Sequence, residues 1–346
     1  MKIPKIRKLP SGAYTCQLRV DGKSISITHE RREVVEAKAY AYKSGLMATQ
    51  TSDGGNLTLR QAIDLYIESR KNTLSPSTIR GYRVIQNYRF SQLMTKKIST
   101  LNAQMCQRVC NEEAKHYSPK TLSNSWGFIR SVIKECGGQE INVRLPQKVK
   151  NERAFLAPEE IPVFIKAIKG SDAEIPALLA LSSLRTSEIL ALTYSNIDLK
   201  NKRIKVSGAV VPDENNNLVK KATNKTASSA RYVPIFIPEL AEALQNAIKD
   251  HRPSDAITLM THNTMYTRIN KVCEQSDLPL IGTHGLRHSF ASLAYSLGVP
   301  ELVAMQIGGW SDFGTMRKIY THIAESERTK NVDKLQSFFE KNSADC

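Results

Sequence analysis

The chain has 346 residues, 41% hydrophobic and 24% charged, with 49 Lys+Arg against 33 Asp+Glu and a formal charge of +16. This length exceeds one ordinary domain and predicts two or three, each with enough apolar residues for a core. No run of about 18 apolar residues is available to span a bilayer, and Met1 to Lys8 is charged with no apolar stretch behind it. A membrane span and a secretory signal are therefore not expected, and the chain reads as cytoplasmic.

In chain order, Tyr14 to Val20 and Ser24 to Thr28 alternate polar and apolar residues around Asp21-Gly22-Lys23, which predicts a hairpin. A helix is expected from about Arg31 to Lys43, ending at Gly45. The polar, Gly-rich stretch Ala48 to Asn56 reads as a linker. Residues 57–140 read as a small four-helix unit. Leu59, Ile63, Tyr66 and Ile67 share one face, a second helix opens at Ser75-Pro76-Ser77, and two more are expected near Asn102–Lys115 and Lys120–Cys136. The six cysteines are scattered, without a disulfide framework. Cys106 and Cys110 read as two buried thiols, because no second Cys/His pair accompanies them to make a metal site.

Gln139 to Asn151 is extended and basic and reads as a second linker. Beyond it a helical segment starts at Pro158, and Ile175–Leu192 reads as strongly apolar helix. Arg203–Val211, about Leu218–Lys221 and Arg231–Ile237 read as strands. Helices are expected from Pro238 onward, ending in a tail from Glu325 to Asn342. In that tail Val332, Leu335 and Phe339 form an apolar stripe suited equally to its own domain or to a neighbouring copy.

The charge is unevenly placed. Residues 1–56 carry 10 Lys+Arg against 5 Asp+Glu, residues 57–150 carry 16 against 6, and residues 151–346 carry 23 against 22. A segment with an excess of ten repels itself unless a polyanion neutralises it, which makes nucleic acid the expected partner of the first 150 residues.

The chemistry is expected elsewhere, in the nearly neutral remainder. Arg185 lies in L-S-S-L-R-T-S-E, within an expected helix Leu178–Leu192 that is otherwise apolar. A charge there needs a partner or a cleft, and Glu188 three residues on is the structural candidate. Arg287 likewise follows His284 in a mostly buried helix, T-H-G-L-R-H-S. Two such arginines suit a bidentate phosphate clamp. Lys225, in T-N-K-T-A-S-S-A-R-Y-V-P-I between two strands, has the reach to protonate a leaving 5′ oxygen. His284 suits hydrogen bonding to a non-bridging phosphate oxygen or accepting a phenolic proton, whereas His288 reads as structural. Tyr320, in I-Y-T-H, carries a phenol that needs cationic neighbours before it becomes a nucleophile.

These residues resemble the tyrosine recombinase (phage integrase) family. The family's arginine with an acid three residues on matches Arg185 and Glu188, and its K-T-x-x-S-x-R-x-V-P context matches Lys225 through Pro234. Its H-x-L-R-H run matches His284 to His288, a His or Trp position matches Trp310, and the Y-T-H nucleophile matches Tyr320, all over roughly residues 150–325. Two departures stand out. Ser183 occupies a position that is often glycine, and Gly308-Gly309-Trp310 replaces the commoner Leu-Gly-His. An indole N–H donates one hydrogen bond but exchanges no proton near neutral pH, so Trp310 is expected to act by packing and donation. Acid–base work is thereby left to Lys225 and His284.

The resemblance implies a mainly α fold with small β elements (α+β). It comprises a three-stranded sheet plus helix at 1–50 as an arm-type DNA-binding domain, a SAM-like core-binding domain at 57–140, and a mixed α/β catalytic domain at 150–346. It implies attack by Tyr320 on a scissile phosphate to give a 3′-phosphotyrosyl link, with Arg185, Lys225, His284, Arg287 and Trp310 in support and neither metal nor other cofactor. Its expected partners are double-stranded DNA at arm-type and core-type attachment sites, and three further copies in a tetramer. A host DNA-bending protein and an excision factor are further family expectations. The implied role is integration, and excision, of a mobile element. A type IB topoisomerase and a non-catalytic DNA-binding regulator are the alternatives.

Overall fold

Period-two alternation builds the first element group. The computed structural model describes residues 4–20, 23–43, 56–148, 154–221 and 231–310, together with 314, 332 and 336. Strands β1 (Arg7–Lys8), β2 (Tyr14–Val20) and β3 (Lys23–His29) form an antiparallel sheet in that order, with Thr15 opposite Thr28 and Leu18 opposite Ile25. Cys16, Leu18 and Ile27 point to one face and are buried with Val35 and Ala39 of α1 (Arg32–Lys43). Thr15, Gln17, Arg19, Ser24, Ser26 and Thr28 alternate with them, which leaves the other face polar. The expected strands and helix are all present.

The helical segment comprises α2 (Leu59–Glu68), α3 (Pro76–Tyr88), a single turn α4 (Ser91–Met94), α5 (Ala103–Glu113) and α6 (Pro119–Glu135). Each start has a chemical cause. Thr58 and Gln61 form a capping box on α2, Asn102 caps the Met105 amide of α5, and Ser118 caps α6 with Pro119 in its first turn. Leu59, Ile63, Phe90, Leu93, Leu122, Ile129 and Ile133 fill the core, with Tyr82 stacked on Phe128 at 3.8 Å. Burial raises the Cys106 thiol to about 11, and burial with the nearby Cys106 and Glu113 raises Cys110 to about 12, so both are inert thiols as expected. The second linker expected at Gln139–Asn151 is instead seated on this core through residue 145. Ile141 is buried, Val143 and Leu145 pack beside it, and Gln107 brackets the Arg144 backbone with bonds of 2.7 and 2.9 Å. Its apolar residues fall at alternate positions, which lets an extended chain bury one edge.

By contact density the chain divides into two units, residues 1–74 with 78–149 and residues 75–77 with 150–346. The second is built around α8 (Glu174–Leu181), apolar on all sides and surrounded by α7 (Ile161–Ile168), α10 (Pro238–Asp250), α11 (His262–Gln275) and α12 (Thr283–Ser296). The helix α9 (Thr186–Ile189) follows it in sequence, and α13 (Glu301–Gly308) follows α12. Strands β4 (Ile197–Asp198), β5 (Arg203–Val206) and β8 (Arg231–Pro234) form one antiparallel sheet, and β6 (Val210–Pro212) pairs with β7 (Leu218–Lys220) in a separate ribbon. The single strand expected over Arg203–Val211 is thus two, interrupted at Ser207-Gly208-Ala209 so that its halves take different partners. Among the described residues no helix is long and apolar enough to cross a membrane. The chain is about half helical with small sheets, in keeping with the expected fold of helices with small β elements.

The expected single helix Leu178–Leu192 is also divided, and this break shapes the site. Ser183 has φ +74°. Its amide donates to Ala180 O at 2.9 Å and the Leu184 amide to Leu179 O at 3.1 Å, a double closure that ends α8. The left-handed residue of such a closure is usually glycine, and Ser183 is fully buried with no partner for its Oγ among the described residues. Ser183→Gly is therefore expected to stabilise the protein by ~1 kcal/mol, relief of the left-handed strain and the orphan hydroxyl outweighing the added freedom of the unfolded chain. A rise of roughly 2–4 °C in the melting temperature would show it, and a fall would mean that the serine contributes a bond of its own.

Candidate active site

The α8–α9 break puts Arg185 in an extended residue (φ −77°, ψ 149°) immediately before α9, rather than inside a helix. Glu188, one turn on, accepts the Arg185 amide at 2.8 Å and its Nη1 at 3.0 Å. The other end of the Arg185 guanidinium donates from Nη2 to Gly309 O at 2.7 Å. Arg185 is thus held on two sides while its side chain stays 43% exposed.

Glu188 is buried, with 8% of the residue exposed, and it serves a second arginine. Arg231, at the start of β8, grips it with parallel bonds, Nη1 to Oε1 at 2.8 Å and Nη2 to Oε2 at 2.9 Å. Burial pushes the carboxyl upward, but the hydrogen bonds and charge of Arg231, then those of Arg185, pull it down to about 2. The folded value lies below the unfolded one, so this stabilisation is complete above pH ~4.5 and is lost as pH falls toward 2. Glu188 remains an anion throughout the neutral range.

Arg287 lies in α12 and is only 3% exposed. Its Nη1 donates to Ser183 O, the carbonyl of the left-handed residue, and its guanidinium stacks on the Trp310 ring at 4.1 Å. Its Nη2 has no hydrogen-bond partner among the described residues. Burial and then the positive charge of Arg185, with a smaller push from Arg231 and a counter-pull from Glu188, lower it to about 9. Among the described residues, Glu188 thus pairs with two guanidiniums, and Arg287 feels its charge without bonding to it. A buried guanidinium costs free energy unless it faces an anion, so this arrangement is suited to an anionic ligand.

The glycine pair before Trp310 is required by shape. A Cβ on Gly308 would overlap the indole ring, and one on Gly309 would overlap the Arg231 guanidinium. Gly309 also has φ +64° at the end of α13. Trp310 lies between Arg287 and Phe290, whose ring is stacked 6.0 Å away. His284, the second residue of α12, is exposed and contacts His288 edge-on at 4.7 Å. One further bond ties the two arginine-bearing segments: the hydroxyls of Thr186 and Thr283 lie 2.5 Å apart.

Of the residues singled out in the sequence, Arg185, Arg287 and Trp310 therefore converge, with His284 one turn before Arg287 on the same helix. Lys225 and Tyr320, and with them the tail from Glu325 to Asn342 apart from two isolated positions, lie outside the described residues. Arg231 and the Gly309 carbonyl were not singled out. Arg231 is the arginine of the K-T-x-x-S-x-R-x-V-P match, but the sequence gives it no role, because only the fold shows that its partner Glu188 is buried. Among the described residues no three His, Cys, Asp or Glu side chains gather as a metal site.

The family model described as "Phage integrase family" matches residues 154–327. The chain is 24% identical to a XerC-like tyrosine recombinase of Caldanaerobacter subterraneus subsp. tengcongensis, over 89% of this chain and 90% of that protein. Its fold is similar to that of the Tn1549 transposon integrase solved in complex with circular intermediate DNA, with TM-score 0.63, 19% identity, and coverage of 81% of this chain and all of that one. A lambda integrase tetramer bound to a Holliday junction is similar at TM-score 0.52 and 14% identity, over 90% of this chain and 96% of that one. An arginine cluster within a stretch that one family model matches over half of the chain leads to a single assignment: the chain belongs to the phage integrase family and is a site-specific tyrosine recombinase.

Proposed function

We propose that this recombinase joins a mobile element to DNA, and releases it, by attack of the Tyr320 hydroxyl on a scissile phosphate held between Arg185 and Arg287. The observation that carries this reading is the buried Arg287 guanidinium, whose Nη2 has no partner among the described residues, in a cluster there of three arginines and one carboxylate. A phosphodiester would supply the absent negative charge, and the same donors would strengthen their hold as charge grows on the phosphorane. The Tyr320 oxygen bonds to phosphorus as the P–O5′ bond breaks. Its phenolic proton passes to His284 or solvent, and Lys225 protonates the departing 5′ oxygen. The resulting 3′-phosphotyrosyl link conserves the bond, so a 5′-hydroxyl from another strand reverses the step. Trp310 supports Arg287 by stacking.

The same proposal assigns the other segments. Residues 1–50 form an arm-type DNA-binding domain, supported by the polar sheet face of Gln17, Arg19 and their neighbours, and residues 57–140 a core-binding domain, supported by its excess of ten positive charges over residues 57–150. Residues 150–346 are the catalytic domain. Exchange between two duplexes uses four active sites, so the working form is a tetramer on double-stranded DNA in the cytoplasm, an arrangement supported by the lambda integrase assembly on a Holliday junction. The family resemblance alone adds a host DNA-bending protein and an excision factor as accessory partners.

The test is single-turnover reaction with nicked duplexes from the DNA flanking the gene, in EDTA, analysed on a denaturing gel. A slow-migrating adduct that yields a phosphotyrosyl peptide at Tyr320 is the expected result. Salt-sensitive binding to the same duplexes without any adduct would overturn the catalytic reading.

A further inference from the structure

We propose that Arg231 is a positioning residue of the recombination reaction, fixing the Glu188 carboxylate and through it the Arg185 guanidinium against the scissile phosphate. The inference rests on the reading of Arg185 as a phosphate ligand.

The geometry is a chain of held groups. Arg231 leaves β8 and takes both oxygens of Glu188 at 2.8 and 2.9 Å, which locks the carboxylate in one plane. The locked Oε2 receives the Arg185 amide, and Oε1 receives its Nη1. Gly309, which has no Cβ to displace Arg231, directs its carbonyl at the far side of Arg185. Arg231 therefore grips one group that holds Arg185 and lies beside the other. Its side chain is 19% exposed against 43% for Arg185, which fits a supporting group behind a ligand. Arg231 has a second effect, since it opposes the burial that would otherwise protonate Glu188. Among the described residues, the charged groups facing Glu188 are Arg185 before α9, Arg231 on β8 and Arg287 on α12.

Loss of Arg231 would leave Glu188 buried with one arginine fewer, so its carboxyl would titrate at higher pH. Once protonated, it would hold Arg185 weakly, and a small displacement of a reacting group's partner is enough to cost roughly 10²-fold in rate. The expectation is therefore specific in its pH dependence. Wild-type cleavage carries no acid limb from Glu188, whereas Arg231→Met gains one, with the rate recovering as pH rises.

Single-turnover cleavage of a nicked duplex by the full chain tests this, with DNA affinity and melting temperature measured in parallel. Arg231→Met is expected to slow adduct formation roughly 10²-fold while DNA affinity changes by no more than about twofold. Placed on Glu188→Gln, it should cost little more, because the two residues act in series. Should Arg231→Met fail to fold, Arg231→Lys, which keeps the charge but loses the parallel grip, is expected to fold normally and still cleave slowly. An unchanged rate, or equal and multiplying losses on the two backgrounds, would overturn the proposal. Arg185→Lys distinguishes the two failures: if it cleaves like wild type, the phosphate-ligand reading of Arg185 falls, and if it is inactive while Arg231→Met is not, only the positioning role does.

Discussion

Tyr320→Phe is expected to abolish the covalent protein–DNA adduct while leaving affinity for the same duplex within about twofold, since one hydroxyl contributes little to binding a polyanion. The reasoning starts from acidity. A free phenol has a pKa of about 10, so only a small fraction is phenolate near pH 7. Among the described residues three arginines and one carboxylate leave a field of positive sign at the site, and this field favours the anionic form of any phenol brought to a phosphate there. Phenylalanine has the same ring and the same packing but no oxygen, so it cannot form the phosphoester bond at any pH. Residual cleavage at a rate near wild type would require another nucleophile and would exclude Tyr320. Retained binding with no adduct would instead separate recognition from chemistry. It would also trap the protein on uncut DNA, so the variant should act as a dominant inhibitor when mixed with wild type.

Much of this chain could be anticipated because its local signals agree with one another. The hairpin of Tyr14–Val20 and Ser24–Thr28, the capped helices from Thr58 onward, and the order of Arg185, Arg287 and Trp310 all reappear in the folded chain. The failures share a cause, which is that apolarity does not report backbone direction. Leu178–Leu192 is continuous in hydrophobicity, yet Ser183 takes a left-handed conformation that glycine would have announced and serine does not. Arg203–Val211 alternates like one strand, but Gly208 lies between two halves with different partners. In the site, Glu188 was legible only as a neighbour of Arg185, whereas its burial makes it the shared anion of two arginines from segments some forty residues apart. Such convergence depends on tertiary placement, and no spacing rule along the chain encodes it.

Replacing Arg287 with methionine is expected to move activity and stability in opposite directions. Cleavage should fall by ~10²–10³-fold, the usual loss when one preorganised donor to a developing charge is removed. Stability should rise by roughly 1–4 kcal/mol, because a buried charge with no anion bonded to it among the described residues is exchanged for an apolar side chain of similar length. The sign follows from the depressed pKa. Arg287 is lowered to about 9 by burial and by the charges of Arg185 and Arg231, while the unfolded side chain keeps its ordinary value of 12.5. Between those values the unfolded chain binds the extra proton, so wild-type stability increases with pH there and its penalty is complete below pH 9. The stability gap between Arg287→Met and wild type should therefore be full at pH 7 and begin to close above pH 9. Added sulfate gives an independent readout. Its general salting-out effect stabilises both proteins alike, but an ion bound in the cleft raises only the wild-type melting temperature. Sulfate should thus narrow the gap as pH does, by pairing the guanidinium rather than discharging it. A methionine variant less stable than wild type at pH 7, with no differential response to sulfate, would mean that Arg287 is a structural residue already satisfied in the free protein. The opposite result would locate the energetic cost of the fold at the position where the scissile phosphate binds, with DNA providing the compensating charge.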